Sequence, residues 1–438
     1  MNCAANTQRS RYLSSPLRSP TWASFAAADV ETESSPSDSF VVGLLAGEPS
    51  GDLLGAGLMT ALRAMLPDRE VRFLGVGGAR MQAAGLVSLA DFDTLSVNGF
   101  RDPIVRLPQL YRLYRELATT LVEARVDAFI GIDFNVFNFL LEARLKRQGI
   151  PTAHYVSPSV YAWRRGRTKK VARSADKLFC LFPFEPAFYE RHAVDARFVG
   201  HPMAADIALD AGSDDARNEA QQNFGLAGED IVLAVLPGSR GSEVALMLTP
   251  MLQAAQEFAD VMQSENRSVR VIIPCVDKAR HAQVAHIANS FSGLKPQLYL
   301  GDARQPLIAC DLALVKSGTS TLEAMLLRRP MVVTYRLGYW TFLIAKFLLK
   351  TPFIAVPNIL AGRMLVPELL QQAATPEAMC AALLEEFEKR STDPEQLKMF
   401  EQLHRTLASG SGGLGASAGA AQGVIDLLTE RDNLTAGM

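Results

Sequence analysis

VKSGTSTLEAM, residues 315–325, continues the apolar run Leu312-Ala313-Leu314-Val315. The run reads as a buried strand and Ser317-Gly318-Thr319-Ser320 as a tight turn. Leu322, Met325 and Leu326 then fall at helical spacing, so a helix starts near Thr319. A glycine turn between strand and helix presents unpaired N–H groups and the positive end of a helix dipole, a natural seat for phosphate. Glu323, one turn into the helix, is placed to accept hydrogen bonds from a ribose diol. The same letters also spell an ordinary capped strand–turn–helix, and the rest of the chain decides between the two.

The same alternation runs outward in both directions. Phe40 to Ala46, Val71 to Val76, Asp127 to Ile132, Ala153 to Val156, Leu178 to Phe182 and Arg197 to Val199 read as strands. Ile231 to Leu236, Val271 to Pro274, Leu298 to Leu300 and Met331 to Tyr335 continue the series. Helical faces lie between them, including a long one from Pro103 to Glu123. Strands alternating with helices predict an α/β fold of parallel, doubly wound sheets. Strand signals vanish over the polar stretch 209–229. The predicted organisation is an extension at 1–39, a Rossmann-like domain at 40–208, a linker at 209–229, a second Rossmann-like domain at 230–375, and C-terminal helices at 376–438. Ligands of such folds bind at the C-terminal edges of the strands, which places a cleft between the two halves.

Composition narrows the class. Across 438 residues, 48% hydrophobic and 21% charged is globular, and a net charge of −2 gives no field that favours nucleic acid. Five scattered cysteines form no CxxC pair and no metal-ligand spacing, which suggests reduced thiols. No apolar run has the length of a membrane span; the greasiest, Tyr339 to Leu349, is short and broken by Lys346. Residues 1–39 are rich in Ser, carry Arg9, Arg11 and Arg18, and have no acid before Asp29. That composition is close to an organelle transit peptide, but a disordered extension or a mis-called start is the favoured reading.

Several loops at predicted strand ends carry candidate chemistry. LLAGEPSGD (44–52) puts Gly47 and Gly51 around a strand-to-helix turn, where a ligand can approach the backbone. Its spacing is not that of a dinucleotide fingerprint, and Ser50 or Asp52 can equally cap the helix. LPGSRGSE (236–243) sets Ser239 and Arg240 between two glycines, an arrangement that suits a pyrophosphate and lacks the Walker ending. Asp133, at the end of a strand, is either a base that takes a proton from a hydroxyl or a helix N-cap. His154 reads first as a core histidine. WRRGRTKKVAR (163–173) is a solvated helix face or a contact for anionic phosphate or a membrane surface. Asp91-Phe92-Asp93 matches the DxD metal signature of some sugar-nucleotide enzymes over three residues only.

Taken together, nine stretches resemble the lipid-A-disaccharide synthase family. They are AGEPSGDLLGAGLM (46–59), FLGVGGARMQAAG (73–85), GID (131–133), HYVSPSVYAWRRGR (154–167), FPFEPAFY (182–189), FVGHPMAAD (198–206), LPGSRGSEV (236–244), SGTSTLEAML (317–326) and PNILAGRMLVPELLQ (357–371). The resemblance implies a two-domain GT-B glycosyltransferase with no cofactor. Its implied reaction is inverting transfer from UDP-2,3-diacylglucosamine to 2,3-diacylglucosamine 1-phosphate, giving a β-1,6 disaccharide and UDP. Its implied place is the cytoplasmic face of the bacterial inner membrane, as a peripheral protein; organelle targeting by residues 1–39 and a homodimer both stay open.

The family's essential aspartate matches Asp133. On this reading Ser239, Arg240, Ser317, Gly318, Thr319 and Glu323 hold UDP, and Gly47, Glu48, Ser50, Gly51 and Asp52 hold the acceptor. The sequence departs from the family's usual pattern at Val136, at Asn98 to Asp102, and at Lys316, where a small residue is typical. A UDP-GlcNAc 2-epimerase-like enzyme and a non-catalytic nucleotide-sugar-binding protein are the alternatives.

Overall fold

The computed structural model describes residues 39–95, 103–158, 167–226, 229–336, 352–392 and 394–436. Residues 1–38, the Asn98 to Asp102 segment, Arg164 and Arg165, and the apolar run from Tyr339 lie outside them. The chain divides into two compact units, one ending at Pro151 and one beginning at Thr152.

The first unit begins with β1 (Ser39–Ala46), α1 (Pro49–Met65), β2 (Glu70–Val76), α2 (Ala79–Ala83) and β3 (Leu86–Ser88). After α3 (Phe92–Leu95) come α4 (Pro103–Glu123), β4 (Ala128–Ile132) and α5 (Asn135–Lys146). The strands are parallel in the order β3-β2-β1-β4. Every residue of β4 is buried, as expected for a strand covered on both faces. Pro49 opens α1 at a position where its missing N–H costs nothing, and Leu54, Leu58, Met59 and Leu62 face the sheet.

The second unit opens with β5 (Thr152–Tyr155), α6 (Arg167–Ser174), β6 (Lys177–Cys180), β7 (Asp195–Phe198), α7 (Pro202–Asp206) and α8 (Asp214–Asn223). There follow β8 (Ile231–Leu236), α9 (Gly241–Ser264), β9 (Val269–Cys275), α10 (Lys278–Ala288), β10 (Gln297–Leu300), α11 (Arg304–Ala309), β11 (Leu312–Lys316), α12 (Thr319–Leu326) and β12 (Met331–Tyr335). The unit closes with α13 (Val356–Ala361), β13 (Glu368–Leu370), α14 (Pro376–Thr392), α15 (Glu395–Ser409) and α16 (Ala416–Ala436). Six strands pair in the order β10-β9-β8-β11-β12-β13, all parallel.

Period-two alternation sorts this sheet's residues between two cores. Val232, Ala234 and Leu236 of β8 enter one cluster with Ala313 and Val315; Ile231, Leu233 and Val235 enter the other with Leu312 and Leu314.

The expected linker contains α8, capped by the Ser213 hydroxyl and tied to α11 by Gln221 Nε2, which donates to Ala309 O at 2.9 Å. The C-terminal helix packs back on β5 to β7. Lys177, almost fully buried, bridges Asp195 and Glu430, Arg197 pairs with Asp426, and Tyr155 donates to Ala416 O. Gly423 lies so close to Phe179 that a Cβ there would meet the ring at 2.3 Å.

Candidate active site

The first unit gathers its candidate residues at the C-terminal ends of β1 and β4. The chain leaves β4 through two successive left-handed residues, Asp133 (φ 50°) and Phe134 (φ 44°). Asp tolerates this region better than most residues; for Phe it is a strained position that the surroundings must hold. Asn138, fully buried, does the holding: Nδ2 lies 2.8 Å from the carbonyl of Asp133 and 3.3 Å from those of Ile132 and Leu45. Phe134, not Asp133, is the N-cap of α5, and it makes no side-chain cap. The carboxylate of Asp133 is therefore not used as a helix cap. It is half-buried, with Ser50 Oγ 3.4 Å from Oδ2 and Asn135 Nδ2 3.5 Å from Oδ1.

Gly47 is glycine because the Phe134 ring lies over it: a Cβ would come within 2.5 Å of that ring. Gly51 lets α1 approach the end of β4, its Cβ position being 3.3 Å from Ile132 O. Glu48 and Ser50 are exposed at the start of α1. Asp52 is buried and faces elsewhere. Its two oxygens accept from the Arg80 and Met81 N–H groups, and so anchor the N-terminus of α2.

The second unit gathers the other set at the ends of β8, β11 and β12. Past Gly238 (φ 113°), Ser239 and Arg240 are exposed, and Arg240 is the N-cap of α9. Glu243 reaches back to accept from the Arg240 N–H at 3.3 Å, which fixes the loop's return. Its other oxygen lies 3.0 Å from Lys316 Nζ, at the end of β11. Burial raises the Glu243 carboxyl, but the hydrogen bond and charge of Lys316 outweigh it and hold the group below its ordinary range.

Ser317 donates its hydroxyl to Ile354 O, and Gly318 is the N-cap of α12, so no cap side chain covers that helix start at Thr319. Glu323 is mostly buried, 3.5 Å from Arg304 Nε, while Arg304 Nη2 also pairs with Asp206 at 2.8 Å. Burial pushes the Glu323 carboxyl up, against the pull of Arg304.

The other motifs resolve into structure. Asp91 accepts from the Asp93 N–H, a local turn at the start of α3, and no cluster of potential metal ligands occurs among the described residues. His154 is buried in β5. In α6, Thr168, Val171 and Ser174 are buried while Lys169, Lys170 and Arg173 are exposed. Four cysteines, Cys180, Cys275, Cys310 and Cys380, are free and buried. Two residues and one pairing escaped sequence reasoning: Asn138, Arg304 and the contact between Glu243 and Lys316. Asn138 left a trace as a polar residue on the apolar face of α5, and Lys316 as a departure from the family's usual pattern.

Chemically, one edge offers a carboxylate beside an open loop, and the other a helix start and two cations around a glycine turn. A family model described as Lipid-A-disaccharide synthetase matches residues 42–414. Lipid-A-disaccharide synthase of Pseudomonas aeruginosa is 45% identical over 394 residues, covering 90% of this chain and 100% of its own. That of Azotobacter vinelandii is 45% identical over 387 residues, covering 88% and 97%. Among solved structures, Acinetobacter baumannii MurG superposes with TM-score 0.51 at 13% identity, over 90% of this chain and 99% of its own. UDP-GlcNAc 2-epimerase from Neisseria meningitidis, bound to UDP-GlcNAc, gives 0.52 at 12%, over 90% and 99%. These two speak to fold alone, and the fold is GT-B. With its sequence matched from β1 into the loop before α16, the chain belongs to the lipid-A-disaccharide synthase family of glycosyltransferases.

Proposed function

We propose that this chain transfers 2,3-diacylglucosamine from its UDP derivative to 2,3-diacylglucosamine 1-phosphate, with inversion, forming a β-1,6 disaccharide 1-phosphate and releasing UDP. The observation that carries the reading is Asp133. Its carboxylate stands free of capping duty beside Ser50, in a turn that Asn138 locks. In this reading Asp133 takes the proton from the acceptor's 6-hydroxyl as its oxygen attacks the anomeric carbon. The acceptor half, 40–208, contributes Gly47, Glu48, Ser50 and Gly51, with Asp52 steadying the loop from behind. The donor half, 230–375, holds UDP through Ser239, Arg240, Ser317, Gly318, Thr319 and Glu323. The start of α12 and Arg240 stabilise the charge that develops on departing UDP.

Both proposed substrates carry acyl chains, so the protein must meet them at a membrane surface. No helix among the described residues is long and apolar enough to cross a membrane. We place the enzyme peripherally on the cytoplasmic face, with the exposed cations of α6 among its contacts. Lys169→Gln and Lys170→Gln together should weaken binding to anionic vesicles at low salt and leave UDP binding unchanged.

The deciding assay incubates the chain with diacylated UDP-glucosamine, with and without the acceptor. UDP release that depends on acceptor supports the transferase. Acceptor-independent inversion at C2, or no turnover, overturns it in favour of an epimerase or a binding protein.

A further inference from the structure

We propose that Lys316 is an additional donor-site residue, its ammonium binding the diphosphate of a uridine diphosphate ligand; this rests on the donor-site reading above. Lys316 is the last residue of β11, directly before the glycine turn that leads into α12. Its Nζ lies 3.9 Å from the position a Cβ on Gly318 would occupy, and apart from the glycine's own chain neighbours no other described atom comes within 4 Å of that position. The ammonium therefore borders the open side of the turn, where a phosphate on the first N–H groups of α12 would lie.

The surroundings hold the ammonium in place. Its nitrogen sits 4.8 Å from the centre of the Tyr335 ring and 3.0 Å from Glu243 Oε1. Both partners of the ion pair are largely buried, which protects their charges from screening by salt. Glu243 also accepts from the Arg240 N–H, so one carboxylate ties the ammonium to the loop that carries the other cation. An ammonium has three donors, and Glu243 is its only hydrogen-bonding partner among the described residues. Two donors remain for phosphate oxygens.

A strut that merely spaced the two loops would need the charge, to pair with Glu243, but not the two spare donors.

Calorimetry with UDP and with uridine, on the parent chain and three variants, tests this. Lys316→Met keeps the stem over Tyr335 and removes the charge, and Lys316→Arg keeps the charge. Lys316→Ala serves as second charge-free variant should the methionine form fail to fold. Expected is a loss of tenfold or more in UDP affinity for the charge-free variant, unchanged uridine affinity, and substantial recovery with arginine. Equal losses for UDP and uridine would make Lys316 a strut and overturn the proposal, as would an unchanged UDP affinity. A parent chain that binds neither ligand would overturn the donor-site reading itself, and this proposal with it.

Discussion

Asn138 Nδ2 sits 2.8 Å from the backbone carbonyl of Asp133, and the same amide reaches the carbonyls of Ile132 and Leu45. One buried side chain therefore bridges the ends of β1 and β4 and holds two left-handed residues between β4 and α5. Replacing Asn138 with Leu leaves those carbonyls without this donor and frees the turn. Loss of about 1–3 kcal/mol of stability is expected. Turnover should fall as well, because Asp133 no longer keeps one orientation. Denaturant unfolding and a single-turnover assay at saturating substrate check both; full activity in the destabilised protein would show that the turn holds its shape without the amide.

Asp133→Asn separates base from scaffold. The amide keeps the shape and tolerates the left-handed backbone, but it cannot take a proton. Turnover should drop on the order of a hundredfold or more, with UDP affinity little changed. Activity within a few-fold of the parent would move the base elsewhere on the edge.

Glu323 tests the ribose assignment. Its carboxylate is mostly buried 3.5 Å from Arg304 Nε, and one hydrogen bond to a ribose hydroxyl would be charge-assisted. Glu323→Gln keeps the shape and loses the charge; a weakening of UDP by about 1.5–3 kcal/mol is expected, with uridine weakened equally. That equality distinguishes Glu323 from Lys316, whose effect should vanish without the diphosphate. Unchanged affinity would leave Glu323 as the partner of Arg304 only.

The sequence carried the sheets because buried parallel strands are continuous apolar runs, and β8 and β12 fell on the predicted residues. It missed β3 (LVS) and β13 (ELL), each three residues long and too short to show a period. The strand-end loops were legible because glycine and polar residues interrupt apolar runs. Their internal logic was not. Asp52 reads as a cap for its own helix, but its geometry serves α2, 28 residues on. The left-handed turn at Asp133 and Phe134 contains no glycine to announce it, since tertiary contacts impose the conformation. Glu243 and Lys316 are 73 positions apart, and only strand adjacency makes them partners.

Two buried titratable groups that contact Phe182 give opposite pH slopes to stability. His201, whose ring packs 5.3 Å from that of Phe182, accepts the Met203 N–H at Nδ1, and burial lowers it to about 4. Below pH 6.5 the unfolded chain takes up a proton that the folded chain refuses, so this contribution falls as pH drops from 6.5 to 4. Glu185 accepts the Leu181 and Phe182 N–H groups, and burial raises it to about 8. From pH 4.5 to 8 the unfolded chain is ionised while the folded chain keeps its proton, so this contribution falls as pH rises. Each slope is at most about 1.4 kcal/mol per pH unit. The two largely cancel between 4.5 and 6.5, leaving a decline between 6.5 and 8 that belongs to Glu185. Glu185→Gln, which can still accept both N–H groups, should flatten that decline. His201→Asn, which can still cap α7, should expose a fall in stability as pH rises from 4.5 to 6.5. Urea midpoints at pH 5, 6.5 and 8 for the parent and both variants measure this, and parallel curves for all three would sink the assignment.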